Sequence, residues 1–320
     1  MKKIIIVLCV AILLMSLSAC GNSGSRDEGT MTDGGEKIVF DAQINHIQAN
    51  ACYTYGLKAD GTLIASSEPF IDGDNVVKTL PECLTWKGIK NFSSSSEAVA
   101  AVLEDGSVVM CGGLVDETQY SNFDSISGWK DVVQVAMGKY DIVALKSDGS
   151  VEIAGILQTE DIGDNKGFVQ VESGCNPMGV KADGSVVVWN WSWNDSIEDT
   201  SKWTDIISVS SCWNHIVGLK SDGTVVACGN NEFGQCDVGE WTDIVAISAG
   251  MDFTIGLKSD GTVVACGKND EGTCNVDKWT NVVEIDAGYY HSVAICSDGS
   301  VLSTGANYQE QCNTDGWNLK

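Results

Sequence analysis

An Asp-Gly dipeptide followed by Ser or Thr occurs seven times in this chain of 320 residues, and its spacing restricts the possible folds more than any other feature. The spacing is nearly even, and the last four copies are almost strictly periodic, a regularity that is typical of repeat proteins. The seven aspartates are Asp60, Asp105, Asp148, Asp183, Asp222, Asp260 and Asp298. We therefore expect seven copies of one structural unit.

Each Asp-Gly lies between two short apolar runs, as in the segment from Thr254 to Gly267. Asp-Gly favours the tight turn that joins antiparallel strands, because glycine adopts positive φ without a steric penalty. A third run that is rich in β-branched residues precedes each pair, and a fourth short strand is expected before the next unit. Seven units of about four antiparallel strands predict an all-β, seven-bladed β-propeller.

Six of the seven repeats end at a tryptophan, and repeat 3 lacks one. We interpret these side chains as wedges that pack between neighbouring blades. They are Trp86, Trp129, Trp203, Trp241, Trp279 and Trp317.

The N-terminus has the pattern of a secretory signal peptide over residues 1–19. Lys2 and Lys3 precede an unbroken apolar run from Ile4 to Met15, which is too short to span a bilayer. The sequence Leu-Ser-Ala-Cys that ends at Cys20 resembles the lipobox of bacterial lipoproteins, in which the cysteine is lipidated. The alternative is an ordinary signal peptide that is cleaved near Ala19. We predict a lipid anchor at Cys20, a flexible tether over 20–37, a propeller over 38–320, and a location on the extracytoplasmic side of the cell membrane.

Charge restricts the partners that the chain can bind. The chain has 19 Lys and Arg against 44 Asp and Glu, which gives a net charge of −25. Binding to nucleic acid needs clustered basic residues that neutralise phosphates, and the attraction of a protein to anionic lipid headgroups needs them too. Nucleic acid is therefore excluded as a partner, and membrane contact is expected through the lipid anchor alone.

Two segments of the later repeats resemble the regulator of chromosome condensation repeat family. One is the Gly-x-x-His-x-x-Ala-Ile run from Gly288 to Ile295, and the other is the segment from Cys228 to Cys236, which resembles the family's Gly-x-Asn-x-x-Gly-Gln pattern. The resemblance implies a seven-bladed propeller and is strongest over 203–320. Nuclear members of the family exchange nucleotide on a small GTPase, but that activity is not expected for an exported chain.

Aromatic side chains are concentrated just before the second strand of several repeats, where the loops are expected to gather on one face. Tyrosine, tryptophan and methionine provide large contact areas in protein interfaces. We predict that this face binds a protein partner and that the chain is a monomer. The alternative is that the rings plug the channel mouth. The predicted contact residues are Tyr53, Tyr140, Trp213, His215, Met251, Phe253, Tyr289, Tyr290 and His291.

Two other functions remain open at this point. Trp189, Trp191 and Trp193 alternate along one predicted strand, so they either stack on the sugars of a cell-wall glycan or fill the core of blade 4. An enzyme with an axial site would use Asp141, Asp252, His215 or His291, which must converge on one substrate atom. The sequence contains none of the catalytic or metal-binding motifs sought, so no cofactor or metal is expected.

The chain contains 13 cysteines, of which Cys9 lies in the signal peptide and Cys20 in the lipobox. Cysteines that recur at the period of the repeat occupy the same site on successive blades and are too far apart to pair. We predict that most of the other cysteines are buried free thiols. Pairing within a blade, as between Cys228 and Cys236 or between Cys266 and Cys274, is left open.

Overall fold

A computed structural model describes most of the chain. The described residues are 29–33, 36–40, 46–67, 71–72, 75–76, 80–96, 98–112, 123–155, 159, 162–174, 176–189 and 200–320. The chain divides into two compact units, Met1–Asp41 and Ala42–Lys320. No helix among these residues has the length and apolar character needed to cross a membrane.

In the first unit, strand Gly29–Asp33 pairs with strand Glu36–Phe40 in an antiparallel hairpin. The hairpin overlaps the range 20–37, for which a flexible tether stays a prediction. The hairpin has β-branched residues in both strands, and the sequence places two glycines between them, a pair that is common in hairpin turns.

The second unit contains seven three-stranded antiparallel sheets, which we call blades 1 to 7 in chain order. In each blade the first strand is called inner, the second middle and the third outer, and the middle strand pairs with both others. The strands are, by blade, Ile47–Ala49, Thr54–Leu57 and Leu63–Ala65; Ile89–Ser94, Ala98–Leu103 and Val108–Gly112; Val132–Met137, Asp141–Lys146 and Val151–Gly155; Phe168–Ser173, Pro177–Lys181 and Val186–Val188; Ile206–Cys212, His215–Lys220 and Val225–Gly229; Ile244–Ala249, Phe253–Lys258 and Val263–Gly267; Val282–Ala287, His291–Cys296 and Val301–Gly305.

A few short elements connect the blades. A hairpin of Ile71–Asp72 with Asn75–Val76 follows blade 1, and the α-helix Leu80–Cys83 follows that hairpin. Short 3-10 helices Asp124–Gly128 and Thr200–Lys202 follow blades 2 and 4. The prediction of an all-β, seven-bladed propeller is confirmed.

The prediction of a fourth strand in each blade was wrong, because the seven blades have three strands each among the described residues. After the outer strand of blade 5 the chain turns instead of pairing. Asn230 Oδ1 accepts the Glu232 N–H at 2.8 Å, Asn231 Oδ1 accepts the Cys236 N–H at 2.8 Å, and Gly234 has a φ of +83°. Side-chain amides that capture backbone N–H groups in this way compete with a strand ladder.

The Asp-Gly turns of the seven repeats all have the same geometry. The glycine φ lies between +73° and +89°, and the aspartate accepts the N–H and the hydroxyl of the residue two positions on. In blade 6, for example, Asp260 accepts from Thr262 at 2.9 and 2.6 Å. Each repeat therefore forms its hairpin turn through contacts between residues that are close in the sequence.

The repeat tryptophans pack against the apolar clusters between sheets, as predicted. Trp129 and Trp279 are buried, and the others are partly buried. The ring needs a residue without a side chain beneath it: a Cβ added to Gly256 would lie 2.8 Å from Cζ3 of Trp241. Gly218 has the same relation to Trp203, at 2.7 Å.

The ring closes through contacts between blades 7 and 1. All described strands of a blade come from the same repeat. The ring is therefore closed by hydrogen bonds and packing between blade 7 and blade 1. Glu284 accepts the backbone N–H groups of His46 and Ile47 at 2.7 and 3.1 Å, and Asp286 accepts that of Ala49 at 2.5 Å. The C-terminal Leu319 is buried, and its side chain lies over Gly56 in blade 1.

Candidate binding face and axial channel

The loops between inner and middle strands lie together at one end of the propeller. Antiparallel pairing reverses the chain at the same end of every blade, so these loops share one surface, which we call the loop face. In blades 1, 3, 5, 6 and 7 they comprise residues 50–53, 138–140, 213–214, 250–252 and 288–290.

Five residues of the loop face form one connected group, which we call the aromatic cluster: Lys139, Tyr140, Trp213, Tyr289 and Tyr290. The ring centroids of Trp213 and Tyr289 are 5.9 Å apart and those of Tyr289 and Tyr290 are 6.3 Å apart, both edge to face. The Lys139 ammonium lies 5.0 Å from the Tyr140 ring and 5.3 Å from the Trp213 ring. Both spacings fall within the range for cation–π attraction.

The aromatic cluster joins blades 3, 5 and 7, which are not neighbours in the ring. Side chains from these three blades nevertheless contact one another on the loop face. Backbone hydrogen bonds hold these loops to their neighbours, from Lys139 to the Gly174 carbonyl at 3.4 Å and from Tyr289 to the Asn50 carbonyl at 3.3 Å. The rings are therefore presented on a fixed backbone.

The cluster keeps part of its surface open to solvent. Tyr290 is 42% exposed, and Tyr140, Trp213 and Tyr289 are half-buried. Trp213 has a φ of +47°, a left-handed conformation that non-glycine residues rarely adopt. The surrounding structure holds the indole in place although its backbone is strained.

The structure corrects three of the predicted contact residues. Phe253, His215 and His291 are at most 1% exposed, so they cannot touch a partner on the loop face. Phe253 turns back beneath its own loop, where a Cβ on Gly250 would lie 2.1 Å from its ring. The two other predicted residues, Tyr53 and Met251, are half-buried on the loop face outside the aromatic cluster.

The two buried histidines link neighbouring blades. His215 Nε2 lies 2.9 Å from the Thr254 hydroxyl, which donates to the Gln235 carbonyl at 2.8 Å. In the same way, His291 Nε2 lies 2.9 Å from the Thr54 hydroxyl, which donates to the Gln311 carbonyl at 2.7 Å. Since each hydroxyl has one proton and gives it to the carbonyl, the histidine Nε2–H must be the other donor.

Burial lowers the pKa of both histidines to about 4, so both rings are neutral at pH 7. Their Nδ1 atoms have no hydrogen-bond partner in the part of the chain that the structure describes. The axial enzyme hypothesis receives no support from this geometry, because the two imidazoles bind different threonines on different blades. Asp141 is buried at the end of blade 3.

Polar side chains of the inner strands line the axis and bind the next blade. Gln134 exchanges two hydrogen bonds with the backbone of Val171, at 3.1 and 3.2 Å, and Gln170 does the same with Val209, at 2.9 and 3.0 Å. Ser248 accepts the Ala287 N–H at 3.0 Å. The sequence analysis missed these contacts, although their signal is an alternation of polar and apolar residues in the inner strands.

Two carboxylates of these strands influence each other across the axial channel, Glu172 of blade 4 and Asp286 of blade 7. Burial, together with the charge of Asp286, raises the pKa of Glu172 to about 8. Burial also raises the pKa of Asp286 to about 7, although hydrogen bonds from Ala49 and Ser248 partly oppose this. Both residues are partly exposed. Among the described residues, no three His, Cys, Asp or Glu side chains are placed to hold a metal ion.

Of the three alternating tryptophans, the structure shows the role of the first, Trp189. Trp189 is 6% exposed and packs on Phe168 at a centroid distance of 5.1 Å, so it fills the core of blade 4. Trp191, Trp193 and the predicted lipidation site Cys20 lie outside the described residues.

Comparison with known proteins supports the repeat and the fold. The family model for the regulator of chromosome condensation (RCC1) repeat matches residues 206–235, 244–273 and 282–311, which belong to blades 5, 6 and 7. The chain is thus a β-propeller whose last three blades carry RCC1 repeats. No curated protein sequence matches the chain.

Three solved structures share this fold at low sequence identity. The ectodomain of the receptor kinase CR4 from Physcomitrella patens is 15% identical with a TM-score of 0.62, over 82% of this chain and 73% of that one. Prp20p from Saccharomyces cerevisiae is 17% identical with a TM-score of 0.60, over 85% and 84%. The ectodomain of the Arabidopsis thaliana receptor kinase ACR4 is 14% identical with a TM-score of 0.59, over 86% and 99%.

Proposed function

We propose that this chain is an extracytoplasmic, lipid-anchored binding protein that holds a protein partner on its loop face. The aromatic cluster carries the proposal, because it presents four aromatic rings and a lysine from three blades on one fixed surface. The location rests on the signal-peptide pattern of residues 1–19 and on Cys20. The structure of Prp20p was reported with its binding to Gsp1p and histones, so a propeller of this kind has served protein recognition elsewhere.

The composition of the cluster suits a protein interface. Tyrosine and tryptophan are enriched among the residues that contribute most to protein–protein affinity, and they lose little conformational entropy when they bind. Contacts between Trp213, Tyr289 and Tyr290 restrict these side chains already in the free protein. Less entropy is then lost on binding, which favours affinity.

The charge of the chain indicates the chemistry of the partner. A net charge of −25 repels acidic proteins and attracts basic ones over a Debye length of about 10 Å at moderate salt. We therefore expect a protein with a basic rim around a surface that accepts aromatic side chains. Its association rate should fall as salt concentration rises.

Affinity capture from an envelope extract tests the proposal, with the purified full-length chain as bait. One variant combines Trp213→Asn and Tyr290→Ser, because asparagine tolerates the positive φ at position 213. The matched control combines Ile207→Ser and Val283→Ser, two exposed aliphatic residues at the opposite ends of inner strands. We expect a protein that the wild type and the control retain and that the cluster variant binds at least about 30-fold more weakly.

The other outcomes would each exclude part of the proposal. Equal retention by the cluster variant would show that the partner uses another surface. Equal loss from both variants would indicate nonspecific apolar adhesion. If the wild type retains no protein, the function is not protein binding, and purified cell-wall glycan becomes the ligand to measure.

A further inference from the structure

Two cysteines from neighbouring repeats meet in the apolar core between blade 1 and blade 2. Cys83 ends the short helix Leu80–Cys83, and Cys111 lies in the outer strand of blade 2. Both side chains are at most 5% exposed, and both belong to the cluster that contains Tyr55 and Phe92. Their thiols are hydrogen-bonded to each other, which lowers the pKa of Cys111 and raises that of Cys83.

The same two positions of the repeat can be identified at each interface between neighbouring blades. Cys83 lies three residues before Trp86, and Cys111 is the fourth residue of its outer strand. The equivalent residues also share a core cluster at other interfaces, such as Ile126 with Ala154 between blades 2 and 3. The seven pairs are Cys83 and Cys111, Ile126 and Ala154, Ile162 and Trp189, Thr200 and Cys228, Val238 and Cys266, Val276 and Thr304, and Thr314 and Ser66.

Cysteine stands at both positions at one interface of the seven. At the other interfaces the residue equivalent to Cys83 is not a cysteine; at the interface of Cys266, for example, it is Val238. The ten cysteines of the described residues are thiols in this structure. We propose that Cys83 and Cys111 form a disulfide in the exported protein that joins the helix after blade 1 to the outer strand of blade 2.

The chemistry is a thiol–disulfide exchange with a disulfide donor, such as the active-site disulfide of a thiol oxidoreductase. The Cys111 thiolate attacks one sulfur of the donor and releases a donor thiolate. The Cys83 thiolate then attacks the mixed disulfide, forms the new S–S bond and releases the second donor sulfur. Two cysteine thiols lose two electrons, and the donor disulfide becomes two thiols that carry the two protons.

A covalent link at this interface has a structural purpose. The strands of blade 1 have three, four and three residues, whereas those of blade 6 have six, six and five. Hydrogen bonds to Glu284 and Asp286 hold blade 1 to blade 7. On its other side, the Asn50 amide donates to the Ser94 hydroxyl and to the Ser95 carbonyl, and the Ile89 N–H donates to the Gly61 carbonyl at 3.1 Å. Apolar packing adds to these hydrogen bonds. The disulfide would secure this second side.

Peptide mapping of the secreted full-length chain tests the proposal. Thiols are blocked with a maleimide under denaturing acid conditions, before digestion with trypsin without reductant. Cys83 is the single cysteine of peptide 79–87, and Cys111 is the single cysteine of peptide 91–130. We expect these two peptides to be linked, and peptide 259–268, with Cys266, to carry the maleimide. Recovery of peptides 79–87 and 91–130 in the maleimide form would overturn the proposal.

Thermal unfolding gives a second, independent measurement. We expect a reductant to lower the midpoint of the wild type by roughly 5–10 °C, since the bridge closes a loop of nearly thirty residues. Cys83→Val, which copies Val238, should abolish this shift, and Cys266→Ala should retain it. A shift that persists in Cys83→Val would assign it to another bridge. If Cys83→Val fails to fold, the wild-type peptide map decides.

Discussion

The interfaces around the ring use two kinds of contact at one position of the repeat, at or next to the start of the middle strand. Between blades 5 and 6, 6 and 7, and 7 and 1, this residue has a hydroxyl that donates to a carbonyl of the preceding repeat. The hydroxyls belong to Thr254, Ser292 and Thr54. At the other four interfaces the equivalent residues are apolar and buried: Val99, Ile142, Pro177 and Ile216.

This difference coincides with the extent of the family match. The three matched segments end at Gln235, Thr273 and Gln311, and the carbonyls of these residues accept the three hydroxyl bonds. Blades 2 to 5 pack on their preceding blades without this bond. The propeller fold therefore forms with either a hydroxyl or an apolar side chain at this position. The match to the family model, in contrast, coincides with the interfaces that contain the hydroxyl bond.

The tryptophan wedges show the same contrast. Blades 5 and 6 receive Trp203 and Trp241 from the preceding repeat, against Gly218 and Gly256. Repeat 3 has Asn165 where a tryptophan is expected, and the space against Gly179 in blade 4 is taken by the rings of Phe168 and Trp189. Trp189 directly follows the outer strand of blade 4 itself, so a local residue replaces one that the neighbouring repeat normally supplies.

Removing the substitute wedge should have the largest effect on stability. Trp189→Ala leaves a cavity in the core of blade 4, so we expect a loss of about 3–5 kcal/mol in the free energy of unfolding. Trp241→Ala should cost less, about 2 kcal/mol, because Trp241 is partly exposed already. Denaturant unfolding of both variants measures the difference, and a larger loss for Trp241→Ala would show that blade 4 does not depend on its own tryptophan.

The hydroxyl bond between blades 5 and 6 should have an intermediate effect. Thr254→Val copies the apolar residue Val99, but it leaves the His215 Nε2–H unpaired and leaves the Gln235 carbonyl with the weak bond from the Cys266 thiol at 3.6 Å, so we expect a loss of about 2 kcal/mol. Adding His215→Phe, which copies Phe253 of blade 6, removes one unpaired group and should recover about 1 kcal/mol. A double-mutant cycle by chemical denaturation measures this coupling.

Thr262→Val provides the control for loss of a hydroxyl, because Thr262 lies in an exposed turn. Its cost should stay below that of Thr254→Val. If the two single variants are equally stable, or if the effects of Thr254→Val and His215→Phe simply add, the hydroxyl bond does not distinguish these interfaces.

The sequence predicted the features that each repeat makes by itself. Asp-Gly turns, strand alternation and the period of the repeat depend on neighbours in the chain, and all seven turns form as expected. The aromatic loop residues were found by their alignment to the turn. The fourth strand was wrong because asparagine and glycine after the outer strand favour turns, a preference that competes with pairing.

The contacts that could not be predicted from the sequence are those between side chains of different repeats. His215 and His291 look like surface residues next to Trp213 and Tyr290, yet their rings turn inward to a hydroxyl of the next blade. That hydroxyl lies more than thirty residues along the chain from His215, and across the ring closure from His291. Glu172 is likewise an ordinary acid in the sequence, and its partner Asp286 approaches it only through the closed ring.

The axial carboxylates should give the smallest effect, through the dependence of stability on pH. The pKa of Glu172 is raised to about 8, so below this pH the folded state binds a proton that the unfolded state has already lost. Stability therefore falls as the pH rises from the ordinary pKa of a glutamate toward 8. The lowered pKa values of His215 and His291 act in the opposite direction between about pH 4 and 6.5, which leaves the window from pH 6.5 to 8.5 to the carboxylates and His46. Across that window we expect the wild type to lose about 1 kcal/mol more than Glu172→Gln. Glu240→Gln, at an exposed position, should follow the wild type. Parallel curves for Glu172→Gln and the wild type would show that Glu172 is ionised in the folded protein across this window.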